Sequence, residues 1–339
     1  MKSIWRFFAL AVATAMLVVL TNCSQTSTNT DVSSNSSPAN NPSPAATTAN
    51  NPSSGKKQIN INTAILSELD KLEGKLGVPA LSNKIQASRP YGSPEELVSK
   101  KVITQEQFDQ IKDMVTIQDV ALTGEAKDVD YMTKLGLMKG HMLVAKELLD
   151  LQLPKQAEPH IGHPVEEIYV DVEEQLNERK VPEFKKTLIS LQDLVKSSPK
   201  DAKVKTNFDE SMQAVDKGIA ALPDQQRQSP QFVLQVVNGL LDSANSEYQS
   251  AIANEKISAV IEYQDSRGFV TYADSLLSQV SEQLTKQNPE AQKAIADTMT
   301  QLKTAWPSAK APDKPVLSTE KVTELVKSIE QNAQKVLKT

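Results

Sequence analysis

Cysteine is almost absent from this chain of 339 residues, in which Cys23 is the only one. A single thiol excludes an intramolecular disulfide framework and a zinc site built from several thiolates. Glycine is also scarce, with 11 residues, and aromatic residues make up only 4% of the chain. Together with many Leu, Ala, Gln, Lys and Glu residues, this composition favours helices over sheets. The net charge of −5 argues against a general polyanion-binding protein.

Long hydrophobic runs are absent except at the start of the chain. Lys2 and Arg6 precede an apolar run from Phe7 to Leu20, which is too short for a comfortable membrane span and is typical of a signal-peptide core. Cys23 stands where cleavage is expected. The arrangement resembles the lipobox of bacterial lipoproteins, which implies that residues 1–22 are removed and that lipidated Cys23 holds the protein to a bilayer. An ordinary signal peptide with a stray cysteine and an uncleaved anchor are the alternatives.

The segment that follows, residues 23–57, contains mostly Ser, Thr, Asn, Pro and Ala and has no apolar periodicity. Such a sequence cannot bury enough apolar surface to offset the entropy lost on ordering. We therefore expect it to be a disordered spacer between the membrane and the folded part of the protein.

Residues 58–118 have the pattern of a compact helical unit, in which Ser93 and Pro94 have the residue types of an N-cap and a first helical position. Its most characteristic segments are Ile59–Ala64, Leu72-x-Gly74, Pro90-Tyr91 and Ile111–Val115. Through these segments the unit resembles helix-hairpin-helix domains of the competence DNA-receptor type, and it is similar to the U-type extrinsic subunit of photosystem II. The first resemblance implies binding to DNA or to a protein. The second implies a cyanobacterial source and a thylakoid-lumenal location, whereas the lipoprotein signal by itself is also compatible with a periplasmic one.

The phosphate-binding features of DNA-binding hairpins are incomplete in this unit. Such hairpins use a Gly-hydrophobic-Gly turn, but the turn from Gly74 to Gly77 is one residue longer, and the second hairpin position, 100–104, has no glycine. Nine basic residues between 56 and 118 face eight acidic ones, a net charge of +1. A duplex reader needs a concentrated basic face, so protein binding is favoured over nucleic acid. The candidate residues that would face a partner or a phosphate are Gly74, Lys75, Gly77, Lys100 and Lys101.

Residues 126–285 form a series of amphipathic helices separated by prolines. Tyr131, Leu135, Met138 and Met142 illustrate the spacing of alternating four and three residues that produces one apolar face. Short connections favour antiparallel neighbours, so we predict an all-α protein: a small helix-hairpin-helix-like domain, an up-down helical bundle, and a helical tail over 286–339. A tetratricopeptide-like solenoid is the alternative.

All three histidines of the protein lie within 23 residues, at His141, His160 and His163. His141 belongs to an apolar row of its helix, and a turn returning from that helix could bring the other two beside it. With Glu166 or Glu167 as an oxygen donor, these residues would suit iron, zinc or copper. The His163-x-x-Glu166 spacing is similar to that of the imelysin-type iron-uptake proteins. The structural alternative is that His141 is a buried core histidine and that His163 is the N-cap residue of the next helix.

A polar cluster, Glu262–Gly268, interrupts the apolar stripe of a later helix, and an Asp265–Arg267 network reaching the histidines is compatible with its position. The sequence contains no Ser-His-Asp arrangement, nucleotide-binding loop or paired-acid signature, so we predict that the protein is not an enzyme. The sequence favours a membrane-anchored scaffold or protein-binding module without a cofactor. A periplasmic metal-binding protein and an envelope DNA receptor are the alternatives.

Overall fold

A computed structural model describes residues 58–118 and 122–338 of the chain, apart from the side chain of Ser67. The predicted leader, the lipidation site Cys23 and the spacer lie outside the described residues. Within the described part of the chain, no helix combines the length and the apolar character needed to cross a membrane.

The amino-terminal unit contains four short helices around its own apolar core. A parallel pair of two-residue strands closes the unit by joining its two ends. The predicted cap at Ser93 is wrong, because the third helix begins at Glu96 and Ser93 instead accepts a turn hydrogen bond from the Glu96 amide through its backbone carbonyl. The elements are β1 (Ile59–Asn60), α1 (Leu66–Leu76), α2 (Leu81–Ala87), α3 (Glu96–Ser99), α4 (Gln105–Ile111) and β2 (Val115–Thr116).

The rest of the described chain is a bundle of longer helices. An antiparallel hairpin of two-residue strands joins two of its long helices, the second of which begins at Val260. The elements are α5 (Gly124–Asp150), α6 (Pro154–His163), a π-helical turn (Pro164–Ile168), α7 (Tyr169–Glu178), α8 (Lys185–Ser197), α9 (Lys203–Ala220), α10 (Asp224–Arg227), α11 (Pro230–Ala251), β3 (Ile252–Ala253), β4 (Lys256–Ile257), α12 (Val260–Gln287), α13 (Pro289–Lys303) and α14 (Thr319–Leu337).

The bundle is organised around α11 and α12, which pack on each other, on α5 and, further along, on α13 and α14. Their inward faces belong to one continuous apolar core that extends from Tyr131 to Val336. Ser318 caps the last helix, because its hydroxyl accepts a hydrogen bond from the Lys321 amide. The all-α prediction, with a helix-hairpin-helix unit followed by a helical bundle, is therefore confirmed.

The helix-hairpin-helix unit packs on the bundle through α1, which lies along α11. Ile65, immediately before α1, contributes to the apolar core of the bundle. Lys71 forms an ion pair with Asp242 at 2.6 Å across the contact. Gly74 faces Gln249 across the contact, where an added Cβ would lie 3.4 Å from the Cβ of Gln249.

Candidate metal centre

His141 lies in the middle of α5, where the backbone passes unusually close to α12. A Cβ on Gly268 would overlap the backbone of Gly140, and a Cβ on Gly140 would lie 2.7 Å from the ring of Phe269. Two glycines therefore permit the crossing beside His141, whose side chain is only 2% exposed. The ring of Phe269 packs edge-on against it, with 4.9 Å between the ring centroids.

His160 and His163 are one helical turn apart at the end of α6, which packs on α5. His160 is fully buried, whereas the His163 side chain is 20% exposed. The ring centroids of His141 and His163 are 5.2 Å apart, and those of His160 and His163 are 5.9 Å apart. The predicted juxtaposition of the three histidines is therefore present in the fold.

The carboxylate among the histidines is that of Asp265, from the first part of α12. Its Oδ1 lies 2.6 Å from Nδ1 of His141 and 2.7 Å from Nδ1 of His160. Its Oδ2 lies 3.3 Å from Nδ1 of His163. All three rings thus present the same nitrogen to one carboxylate that is 5% exposed.

Gln264 fixes the orientation of the His160 ring. The Gln264 Nε2 donates to the backbone carbonyl of Ala309 at 3.0 Å, so its Oε1 points toward Nε2 of His160, 2.8 Å away. Nε2 of His160 must therefore carry a hydrogen, which leaves Nδ1 as the ring atom available for a second proton or for a metal. A ligating histidine is commonly held by a polar neighbour on its other nitrogen in this way.

The charges of the metal-free centre are set by burial and by Asp265. Burial lowers the pKa of His141, although Asp265 acts in the opposite direction. Burial also opposes the charge of His163, but Asp265 and two nearby glutamates outweigh it and raise the pKa of His163 to about 9. Burial disfavours the Asp265 carboxylate, but the three histidines hold its pKa well below its usual range. Near neutral pH the carboxylate is thus ionised and His163 is protonated.

The four side chains fit a transition-metal ion. Each can offer one ligand atom, and these atoms lie within 4.8 Å of one another. Bonds of about 2.0–2.2 Å to histidine nitrogen and carboxylate oxygen place neighbouring ligands roughly 3.3–3.6 Å apart around a tetrahedral ion. Oδ1 of Asp265, which lies 2.6 Å from Nδ1 of His141 and 2.7 Å from Nδ1 of His160, would therefore move away from these atoms when an ion binds. Two polar atoms of the cluster, Nε2 of His141 and Nδ1 of His163, are also buried without a hydrogen-bond partner among the described residues. Since buried polar atoms ordinarily have partners, the deficit at Nδ1 of His163 is consistent with an absent cation.

Glu166 and Glu167, the oxygen donors expected from the sequence, are outside the four-residue cluster. They lie in the π-helical turn, where Glu166 is exposed. A π turn contains more residues than an α turn, so residue i+4 rather than i+3 returns toward His163. Accordingly, Oε1 of Glu167 lies 3.9 Å from Nε2 of His163. Asp265 occupies the place of the carboxylate, and the polar interruption of its apolar stripe was the signal for it.

The hairpin residues predicted to face a partner or a phosphate have different surroundings. Gly74 faces Gln249 of α11, and Gly77 ends α1 in the left-handed conformation with φ of 61°. Lys100 lies over the Tyr91 ring and donates to the backbone carbonyls of Ser88 and Pro90. Lys75 and Lys101 are exposed.

A cavity of about 490 Å³ lies between part of the helix-hairpin-helix unit and the bundle, and it extends to His163 and Asp265 of the candidate metal centre. We call it the acidic cavity. Its wall includes two residues of the centre and five further carboxylates, and no lysine or arginine of the described chain lines it. These are His163 and Asp265 with Asp70, Glu73, Glu167, Glu247 and Glu262.

Two parts of the chain match known families. Residues 223–339 match the iron permease-associated 4-helix bundle domain, and residues 54–116 match the helix-hairpin-helix motif. The second match confirms the resemblance found in the sequence. No curated protein and no solved structure matches the chain.

The candidate centre spans the boundary of the first match. Asp265 and Gln264 lie inside the matched range, whereas the three histidines precede it. The segment α5–α7, which carries the histidines, thus adds three nitrogen donors to a helix that the matched domain supplies.

Proposed function

We propose that this protein binds a divalent transition-metal cation, with iron(II) as the preferred ion, through His141, His160, His163 and Asp265. The observation that carries the proposal is the convergence of three Nδ1 atoms on one buried carboxylate, with every histidine of the protein taking part. Three imidazoles and a carboxylate suit iron, zinc and copper. The description of the matched domain as iron permease-associated supports iron among these.

Protons occupy this centre when metal is absent, and a cation would displace them. The Asp265 carboxylate lies beside the protonated His163, and a divalent ion would replace the proton as the positive charge next to that carboxylate. Metal binding should therefore release protons. Because the ligand cluster is buried, the role we propose for it is storage or transfer of the ion.

The proposed setting is the outer face of a membrane. The leader and the lipid at Cys23 support it from the sequence, and they would hold the metal centre near a membrane component. A lipid-anchored cation-binding protein could then pass its ion to a membrane partner.

A second candidate function is protein docking by the helix-hairpin-helix unit. The unit packs through α1 on α11 of the same chain, so one surface of this small domain is adapted to a protein surface. We propose that any separate protein partner would use the remaining surface, on which Lys75 and Lys101 are exposed. A pull-down of the lipidated protein from native membranes tests this, and recovery of the protein without a specific companion would count against it.

Thermal unfolding of the chain beginning at Ser24 tests metal binding. That chain has no cysteine and no histidine outside the centre, so stoichiometric binding reports the centre directly. Iron(II) under anaerobic conditions, zinc and copper(II) would each be titrated, and a metal present at a hundred times its Kd should stabilise the protein by about 2.7 kcal/mol.

Asp265→Asn should lose most of this stabilisation, whereas Glu282→Gln, an exposed substitution on the same helix, should retain it. Absence of stabilisation by all three metals at about a hundred micromolar would reject the proposal, since a functional site of this donor set binds more tightly than that.

A further inference from the structure

The centre is closed on most sides. His160 is covered by Gln264 and by the loop that carries Ala309, and His141 is covered by Phe269. His163 is the one histidine of the cluster with appreciable exposure, at 20% of its side chain. An ion that reaches the ligands without unfolding of the bundle must therefore approach past His163.

The acidic cavity opens on that same side, because His163 and Asp265 both form part of its wall. Its volume of about 490 Å³ is large enough for a hydrated cation together with several further water molecules. Burial raises the pKa of Asp70 and of Glu167 to about 7, and it raises the pKa of Glu247 well above its usual value. An entering divalent cation favours the ionised form of such carboxyl groups, and a cleft lined by charge of one sign concentrates ions of the opposite sign and can raise association rates 10-fold or more.

Most of the carboxylates in the wall are already engaged. Glu73 accepts from the backbone amides of Ala80 and Ser82, and so it holds the start of α2. Asp70 accepts from the Ser82 hydroxyl and lies beside the buried Glu247. Glu167 differs from these, because its Oε1 lies 3.9 Å from Nε2 of His163, at the inner end of the cavity.

We propose that the acidic cavity is the route by which the cation reaches the centre, and that Glu167 is the residue that receives it before transfer to His163 and Asp265. The inference rests on the proposed metal-binding function. The occupant is a hydrated divalent cation, and Glu167 is a positioning residue on its path rather than one of the four final ligands.

The cavity wall formed by the helix-hairpin-helix unit gives that unit a role in the same process. Residues of α1, of the α1–α2 turn and of α2 form one side of the cavity, and Glu167 with the end of α11, β3 and the start of α12 forms the other. The docked unit thus narrows the path by which an ion would reach His163, so an entering ion would pass close to the carboxylates of the cavity wall.

Loading kinetics test the route separately from binding. The chain beginning at Ser24 has Trp306 as its only tryptophan, and the Trp306 carbonyl accepts from Arg267, two residues beyond Asp265. Copper(II) arrival can therefore be followed by stopped-flow quenching of Trp306 fluorescence. At low salt, Glu167→Gln should slow loading about ten-fold and weaken its salt dependence, while the saturating stoichiometry stays at one ion. Glu282→Gln, which removes an exposed carboxylate on α12, should load at the wild-type rate.

A reversible plug supplies an independent test. Asn83 is exposed and lines the cavity, so Asn83→Cys would be modified with a bulky aromatic thiosulfonate, and the same label at Glu282→Cys would serve as the control. Labelling at position 83 should slow loading at least ten-fold, and removal of the label by dithiothreitol should restore the rate in the same sample.

The outcomes separate the two proposals. If the wild-type protein binds no metal at equilibrium, the proposed function fails. If it binds metal but loads at an unchanged rate in Glu167→Gln and in the plugged protein, the route is wrong and the function stands. A Glu167→Gln variant with a normal loading rate and a faster release of metal would make Glu167 a ligand and would also overturn the route.

Discussion

Asp265→Asn in the metal-free protein gives a prediction whose size follows from the centre itself. The substitution keeps the shape of the side chain but removes the charge that faces His163 at 3.3 Å. In the wild type the pKa of His163 is raised to about 9 from an ordinary value of 6.5. A difference of about 2.5 units corresponds to roughly 3 kcal/mol of stabilisation of the charged histidine.

The sign of the effect fixes its pH window. A histidine whose pKa is higher in the folded than in the unfolded state stabilises the fold fully below about pH 6.5, and this contribution disappears as the pH rises through about 9. The ionised Asp265, whose pKa is depressed, contributes above about pH 4. The loss in unfolding free energy caused by Asp265→Asn should therefore be up to about 3 kcal/mol at pH 6, because two glutamates share in raising this pKa, and it should be much smaller at pH 10.

Urea unfolding of the metal-free wild type and variant at a series of pH values measures this difference. A chelator in every sample removes the contribution of metal. Glu282→Gln is the matched control, because its carboxylate is 83% exposed, and it should change stability by less than about 0.5 kcal/mol throughout. A loss for Asp265→Asn that is the same at pH 6 and at pH 10 would refute the ion-pair argument.

Three further predictions concern the helix crossing, the anchor and nucleic acid. Gly268→Ala should lower the unfolding free energy by about 2–3 kcal/mol and weaken metal binding, because its Cβ would force α12 away from Gly140. Calorimetry and metal titration measure these effects, with Thr271→Ala at an exposed position of α12 as the control. Equal effects of the two changes would contradict the argument. Cys23→Ser should abolish incorporation of labelled fatty acid, and absence of label in the wild type would disprove lipidation. The chain beginning at Ser24 should bind duplex DNA no more tightly than about 10⁻⁴ M at physiological salt, and micromolar binding that weakens steeply with salt would contradict this.

Helical periodicity was sufficient to predict the fold class. The stripes of α5 and the later helices are buried where their spacing indicates, and the helix-hairpin-helix resemblance corresponds to a separate small core. Local details were less predictable. The Ser93 cap is replaced by a turn, and two residues with positive φ, Asn254 and Glu255, form the turn of a hairpin before α12 that the apolar spacing does not indicate. Such local choices between a turn and a helix start depend on backbone conformation, and the spacing of apolar residues does not reveal them.

The histidine cluster was predictable in part. The three-residue spacing of His160 and His163 and the apolar row around His141 correctly indicated that they could meet. The partner carboxylate was harder, because Asp265 is separated from His141 by 124 residues. Its position depends on the glycine-permitted crossing of α5 and α12, a long-range contact that no local pattern encodes.

The position of the helix-hairpin-helix unit on α11 was not predictable from the sequence. The contact combines an ordinary ion pair, Lys71–Asp242, with a glycine that had been interpreted as part of a phosphate-facing turn. A missing side chain serves equally well for the close approach of a phosphate and of a neighbouring helix, so Gly74 alone could not distinguish the two.

Selective labelling of histidine with ¹³C and ¹⁵N, followed by NMR during titration with zinc, tests the central claim most directly. The protein has only three histidines, so every signal in such a spectrum reports the centre. The structure predicts that all three ring systems shift together at one equivalent of metal, that coordination is through Nδ1, and that protons are released as the ion binds. Iron(II) and copper(II) would be tested in the same way, through the loss of the histidine signals by paramagnetic broadening. The claim would be contradicted if the spectra stayed unchanged at several equivalents of all three metals.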